Sequence, residues 1–242
     1  MLVDEYRKAI RGIFDKVDAT QTEQIEAAAE MIAQTVKDGG CVHIYDTGHI
    51  INCELVRRAG GLAILRGLTY AFTVTDDAKN RDMSGKDRSM EGLGVHILRQ
   101  SNVLCGDLLI LGSVSGKTAL VTDLAIAARK MGVKTVGVTS ITYSSALKSD
   151  HSCGKRLFEL CDLVIDNCAP KGDAMIDYEG LEHPFGPASG LSAAYIMWQV
   201  SAMTADKLLE AGIQPTVFKS VNFPDGWDTL ERDTQTYMKE GR

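Results

Sequence analysis

From residue 41 onward, short apolar runs alternate with helical stretches, and few folds accept that pattern. CVHIY (41–45), LAIL (62–65), DLLIL (107–111), KTVGV (134–138) and DLVID (162–166) read as strands. Segments of helical spacing lie between them, at 50–59, 92–100, 119–131 and 154–160. Strands that alternate with helices form a parallel sheet, because each connection must cross back over a sheet face. The run at 107–111 has the unbroken apolar character of a central strand covered on both sides. The class is therefore α/β. AMID (174–177) is expected as an edge strand, and 190–211 as a long apolar helix.

Two helices precede this core. Leu2, Tyr6, Ile10, Ile13 and Phe14 mark the first; Ile25, Ala28, Ala29, Ile32 and Val36 mark the second. Thr20 or Thr22 is expected to cap the second helix, and Gly39 and Gly40 to end it. The chain of 242 residues is thus expected to be one domain: a helical pair over 1–38, an α/β core over 41–212, and a weakly structured tail over 213–242. Residues 76–90 are polar, charged and without period, which predicts a long loop.

Charge excludes one class of partner. With 26 basic and 32 acidic residues the net charge is −6, and no basic stripe is present, so a nucleic-acid surface is not expected. Six cysteines, Cys41, Cys53, Cys105, Cys153, Cys161 and Cys168, show no CxxC spacing. They read as small buried hydrophobes in a reducing compartment. The charged N-terminal stretch and the lack of an apolar run of ~18 residues give no membrane segment, so a cytoplasmic protein is expected.

The loop LGSVSGKTA follows the central strand, where open parallel sheets bind ligands. Ser113, Ser115 and Thr118 offer hydroxyls. Gly112 and Gly116 allow a tight turn and close approach. The helix starting near Thr118 directs free N–H groups and a partial positive charge at the loop, and Lys117 adds a full charge. An anion is the expected ligand. A nucleotide P-loop is not, because that motif needs glycine where Leu111 stands.

Taken together, GSVSGKTALVTDLAIAARKMGVKTVGVTS, RRAGGL (57–62), HSCGKRLFELCDLVIDNCAPKGDA (151–174) and GPASG (186–190) resemble the sugar isomerase (SIS) domain family, and within it a bacterial, phosphoheptose-isomerase-like branch. The resemblance covers most of the chain. It implies three layers, with a five-stranded parallel sheet flanked by helices, and a homodimer or higher homo-oligomer. It implies a phosphosugar ligand, with Ser113, Ser115 and Thr118 on the phosphate, Gly116 permitting the turn, and Ser140 at the Thr-Ser end of the next strand nearby. No cofactor or metal is implied. His49, His151 and Asp173 have no diagnostic metal-ligand spacing.

Within this resemblance the first-strand turn, Tyr45-Asp46-Thr47-Gly48-His49, departs from the family's Gly-x-Gly-His-Ser. Thr47 and Gly48 are left as candidate ligand groups there, and Asp46 is expected to meet sugar hydroxyls. Glu54, in the apolar segment IINCELV, is the family-implied base for an aldose–ketose isomerase acting through an enediol; its bland alternative is a partner for Arg57 or Arg58. Ring opening needs an acid–base group, for which His49, His151 and His183 are the candidates. His43 reads as structural, and His96 has no motif. Asp166 and Asn167 can receive sugar hydroxyls or simply form a turn. The substrate is then a phosphorylated or otherwise anionic sugar, a sulfonated one included. Because the same fold also serves as a regulatory domain, a non-catalytic sugar-phosphate sensor is the other reading.

Overall fold

The computed structural model describes residues 1–48, 51–87 and 89–242. Its elements run α1 (Leu2–Thr20), α2 (Thr22–Lys37), β1 (Val42–Asp46), α3 (Asn52–Leu55), β2 (Leu65–Gly67), α4 (Leu93–Gln100), β3 (Leu108–Gly112), α5 (Ala119–Lys130), β4 (Lys134–Thr139), α6 (Ile141–Ser145), β5 (Leu163–Asp166), β6 (Ala174–Ile176), β7 (Phe185–Pro187), α7 (Ser189–Glu210) and α8 (Gly226–Glu240). Five strands form one parallel sheet in the order β2-β1-β3-β4-β5.

Alternation along the strands builds the three layers. Successive side chains point to opposite faces. Val42, Ile44, Leu108, Ile110, Val136 and Val138 pack on one face with Ile25, Ala29 and Ile32 of α2 and Ala193, Ile196 and Val200 of α7. Tyr45, Leu109 and Leu111 pack on the other with Ile97 and Leu98 of α4 and Val121, Leu124 and Ala128 of α5. All five residues of β1 and of β3 are buried, which explains their nearly unbroken apolar runs.

Several local expectations need correction. The helix expected over 50–59 is confined to Asn52–Leu55. The strand expected over 62–65 runs Leu65–Gly67, and Leu62 instead bridges Val217. The helix expected over 154–160 is a single 3-10 turn, Leu157–Glu159. The segment at 174–176 is no edge of the main sheet; it pairs antiparallel with β7 in a separate hairpin. The tail is structured: Ala63 donates to Thr216 O, Gly60 to Phe218 O, and α8 follows with Tyr237 buried. Thr20 and Thr22 do not cap α2. Their hydroxyls donate back to the carbonyls of Lys16 and Asp18. Of the cysteines, Cys168 is buried, Cys41 and Cys161 are partly so, and Cys53, Cys105 and Cys153 are exposed. Among the described residues no helix is long and apolar enough to cross a membrane.

Packing against the sheet has a consequence at high pH. Burial pushes the Cys161 thiol up from 9.0 to about 12, and the Tyr45 and Tyr237 phenols up from 10.0 to about 12. The folded chain keeps these groups neutral, while the unfolded chain loses their protons at ordinary values. Their stabilisation is therefore complete below about pH 9 and is lost as pH rises toward 12. Cys161→Ala should flatten the fall between pH 9 and 10, by up to about 1.4 kcal/mol per pH unit. Urea unfolding at stepped pH measures this; equal slopes for both proteins would contradict it.

Candidate functional site

The strand order places a topological switch between β1 and β3. The chain leaves β1 toward β2 on one side, while β3 leads to β4 and β5 on the other. The two connections diverge and open a crevice beyond the strand ends, the usual ligand position in such sheets. Here that crevice is a cleft of about 520 Å³ lined by Tyr45, Asp46, Thr47, Gly48, Asn52, Leu68, Thr69, Tyr70, Thr118 and Leu120.

The 112–118 loop meets one side of the cleft through Thr118. Ser113 N–H donates to Val138 O at 3.1 Å, which carries the β3–β4 pairing into the loop. Ser113 Oγ then accepts the Gly116 N–H at 3.2 Å and closes the turn. Gly116 sits at φ 55°, in the left-handed region. Leu157 N–H and Asp150 N–H donate to the carbonyls of Gly116 and Lys117, at 2.8 and 2.9 Å, so the loop is strapped from behind. Thr118 stands at the N-cap of α5 with extended φ and ψ and makes no side-chain cap bond. The first-turn N–H groups of this helix thus lack a side-chain cap and carry the positive end of its dipole. Among the described residues, the hydroxyls of Ser115 and Thr118 have no hydrogen-bond partner in the protein.

Two expected anion contacts have other duties. Ser113 is buried, and its oxygen shapes the turn. Lys117 Nζ is held at 2.9 Å by both carboxylate oxygens of Asp150. The partly exposed hydroxyls of Thr118 and Ser115, with the first-turn N–H groups of α5, remain as the cradle.

The first-strand turn forms the opposite wall. Asp46 is buried, and its carboxylate is consumed by the backbone: Gly48 N–H donates at 2.7 Å, Ile51 at 2.7 Å and Asn52 at 2.6 Å. It caps α3 and orders the turn, which gives the acid expected to meet sugar hydroxyls a structural duty. Thr47 and Gly48 line the cleft as expected. His49 lies outside the described residues. Sequence reading missed six liners, Tyr45, Asn52, Leu68, Thr69, Tyr70 and Leu120. Asn52 has a buried Oδ1 with no hydrogen-bond partner among the described residues. Tyr45 and Tyr70 set their rings 6.3 Å apart. Burial first, and the neighbouring Tyr70 second, push the Tyr45 phenol up from 10.0 to about 12.

Other expected site residues are not brought here. Glu54 is partly buried, as expected, with its side chain 46% exposed, and it pairs with Arg58 Nη2 at 3.1 Å. It borders a separate hollow with Tyr6, Pro187, Ser189 and Leu191. Asn52 and Glu54, two residues apart on one helical turn, face roughly opposite directions. His151 is buried between Glu91 Oε1 at 3.6 Å and Asp123 Oδ1 at 3.9 Å, with Nδ1 accepting the Cys153 N–H at 3.0 Å. It ties the loops to α5. His183 is solvated beside Glu182. Ser140 spends its hydroxyl capping α6 and donating to Ala169 O at 2.6 Å. Asp166 accepts the N–H groups of Ile141 and Cys168. Asn167 is fully buried and accepts the Ala169 N–H at 3.1 Å. Turn formation is thus the role these contacts give Asp166 and Asn167.

Comparison with known proteins fits this geometry. Residues 5–140 match the model described as the SIS domain. The UPF0309 protein of Streptomyces avermitilis is 34% identical over 238 residues, spanning 98% of this chain and 95% of that protein. The UPF0309 protein of Streptomyces coelicolor is 32% identical, over 96% of this chain and 94% of its own length. Phosphoheptose isomerase from Neisseria gonorrhoeae superposes with a TM-score of 0.51 at 17% identity, covering 85% of this chain and 96% of that one. A phosphoheptose isomerase from Francisella tularensis gives 0.53 at 12% identity, covering 84% and 96%. Likeness at such identities is one of fold.

Proposed function

The chain belongs to the SIS-domain family, and from that premise we propose that it binds an anionic sugar in the β1/β3 cleft and interconverts its aldose and ketose forms. The oxyanion, phosphate or sulfonate, sits on the N–H groups at the start of α5 and on the hydroxyls of Ser115 and Thr118. The sugar extends toward Thr47, Asn52, Tyr45 and Tyr70. The single observation that carries the binding half is the side-chain-uncapped N-terminus of α5, opening at the topological switch point. Two solved structures of like fold are phosphoheptose isomerases, which supports the choice of an isomerase.

On this reading Glu54 is the base that moves a proton between C1 and C2 through an enediol. It must release Arg58 and turn toward the cleft to do so. A homodimer belongs to the same reading. A second copy would cover the apolar groove of Leu2, Val3, Tyr6 and Phe185 beside the hollow that Glu54 borders.

One observation favours a second reading, binding without chemistry. Glu54 is half-exposed, ion-paired, and on the far side of α3 from the cleft. Deuterium incorporation at sugar C2 separates the two. The protein is incubated in heavy water with a panel of aldose 5-phosphates, aldose 6-phosphates and 6-sulfonates. The isomerase reading expects exchange with one member and a loss of about 100-fold or more in Glu54→Gln. Exchange that survives Glu54→Gln removes Glu54 as base. A thermal shift without any exchange establishes the sensor instead.

A further inference from the structure

At the opposite end of the sheet, Cys41 and His43 lie two residues apart on one face of the chain entering β1. Asp107 stands at the head of β3, beside Cys41 in the parallel register. One donor atom from each, the Cys41 thiol, a ring nitrogen of His43 and a carboxylate oxygen of Asp107, lies within 4.8 Å of the other two. We propose that these three residues form a metal site for zinc or a similar thiophilic divalent cation.

The donor set selects the ion. A thiolate with an imidazole and one carboxylate suits zinc, and disfavours magnesium and calcium, which take oxygen ligands. Spacing is close to what such an ion needs. His43 Nε2 and Asp107 Oδ2 stand 3.0 Å apart, and two ligands tetrahedral about zinc are separated by about 3.4 Å. The carboxylate is already held from behind: Oδ1 accepts the Cys41 N–H and Oδ2 the Leu104 N–H, both at 2.8 Å. His43 Nε2 donates to Oδ2 in this structure, so an ion would take the place of that proton between the ring and the carboxylate, while the two backbone bonds stay as the outer-shell support that metal-bound carboxylates need. His43 and Asp107 are 8% and 5% exposed, whereas Cys41 is partly open to solvent, which gives an ion a way in. Tyr237 of α8 comes down beside Cys41, with Arg66 stacked on its ring at 4.6 Å.

Three protein ligands leave a fourth position for water. Along β1, His43 and Cys41 stand about 7 and 13 Å from Tyr45 at the edge of the cleft, and the ion clamps β1 to β3 from the opposite strand ends. It rests on none of the function proposed above.

Cobalt(II) is the direct probe. Titrated into the reduced full-length protein, it should bind at one ion per chain with a thiolate-to-cobalt band in the near ultraviolet, and zinc should abolish the band. Cys41→Ser should remove the band. His43→Gln should weaken binding at least tenfold, since even outer-shell changes cost about 10- to 100-fold. Cys153→Ser, which alters an exposed thiol elsewhere, should change nothing. A wild-type protein with no thiolate band overturns the proposal without reference to any variant's folding. So does a band that persists in Cys41→Ser, or one lost in Cys153→Ser.

Discussion

Gly116→Ala should weaken binding of a hexose 6-phosphate by about 10- to 100-fold and lower stability by about 2 kcal/mol. Two costs combine. A side chain at φ 55° pays about 1–2 kcal/mol for the left-handed conformation. The added Cβ also meets Leu157 Cβ and Thr139 Oγ1 at 3.1 Å and Ser144 Oγ at 3.2 Å. All three belong to buried or packed surroundings, so the loop must move by a few tenths of an ångström. Its anion contacts are charge-assisted N–H bonds worth about 1.5–3 kcal/mol each. Misaligning one of them gives the stated loss, at about 1.4 kcal/mol per factor of ten. Isothermal titration with thermal unfolding measures both effects. Unchanged affinity would mean that the loop does not hold the anion.

Asp46→Asn is expected to destabilise the fold by about 3 kcal/mol and to lower the melting temperature by about 6–12 °C. Three backbone N–H groups converge on the two carboxylate oxygens. An amide offers one oxygen. Whichever way it turns, its NH₂ faces at least one N–H donor, and each buried donor left unpaired costs about 1–3 kcal/mol. Thr47, Gly48 and Asn52 are all placed by this carboxylate, so ligand affinity should fall with stability. Differential scanning calorimetry decides it: a melting temperature within a degree of wild type would show that the turn does not depend on Asp46.

The parallel sheet was legible because its strands are local apolar runs. DLLIL and KTVGV announce burial on both faces without knowledge of their neighbours. Elements that depend on distant pairing were not. AMI joins a hairpin with Phe185–Pro187, and nothing within its own residues excludes the sheet edge. The helix Gly226–Glu240 is mostly polar, and its buried side rests on Thr229, Asp233 and Tyr237, which is too polar a stripe to stand out. It is held in place by Gly60 to Ala63 pairing with residues far along the chain.

The site divides along the same line. Loop 112–118 was readable because glycine and hydroxyl spacing is local chemistry. Charge partners were not: Lys117 meets Asp150, 33 residues away, and His151 meets Glu91, 60 residues back. The sequence shows a charged or titratable side chain, but tertiary packing decides whether that group is free. Asp46 differs: read as an acid facing a ligand, it is spent on three backbone donors within six residues, a local turn whose geometry the side chain alone does not announce. Cys41 and His43 mirror it: bland inside an apolar strand, they become a donor set once β3 brings Asp107 alongside.

The central claim is that an oxyanion rests on the start of α5. A crystal structure of the protein with a hexose 6-phosphate at saturating concentration tests it most directly. Phosphate oxygens within hydrogen-bond distance of the first-turn N–H groups and of Ser115 and Thr118 Oγ, with the sugar between Thr47 and Tyr70, is the predicted result. A sugar phosphate bound elsewhere, with the cleft beyond β1 and β3 filled by water, would contradict the account.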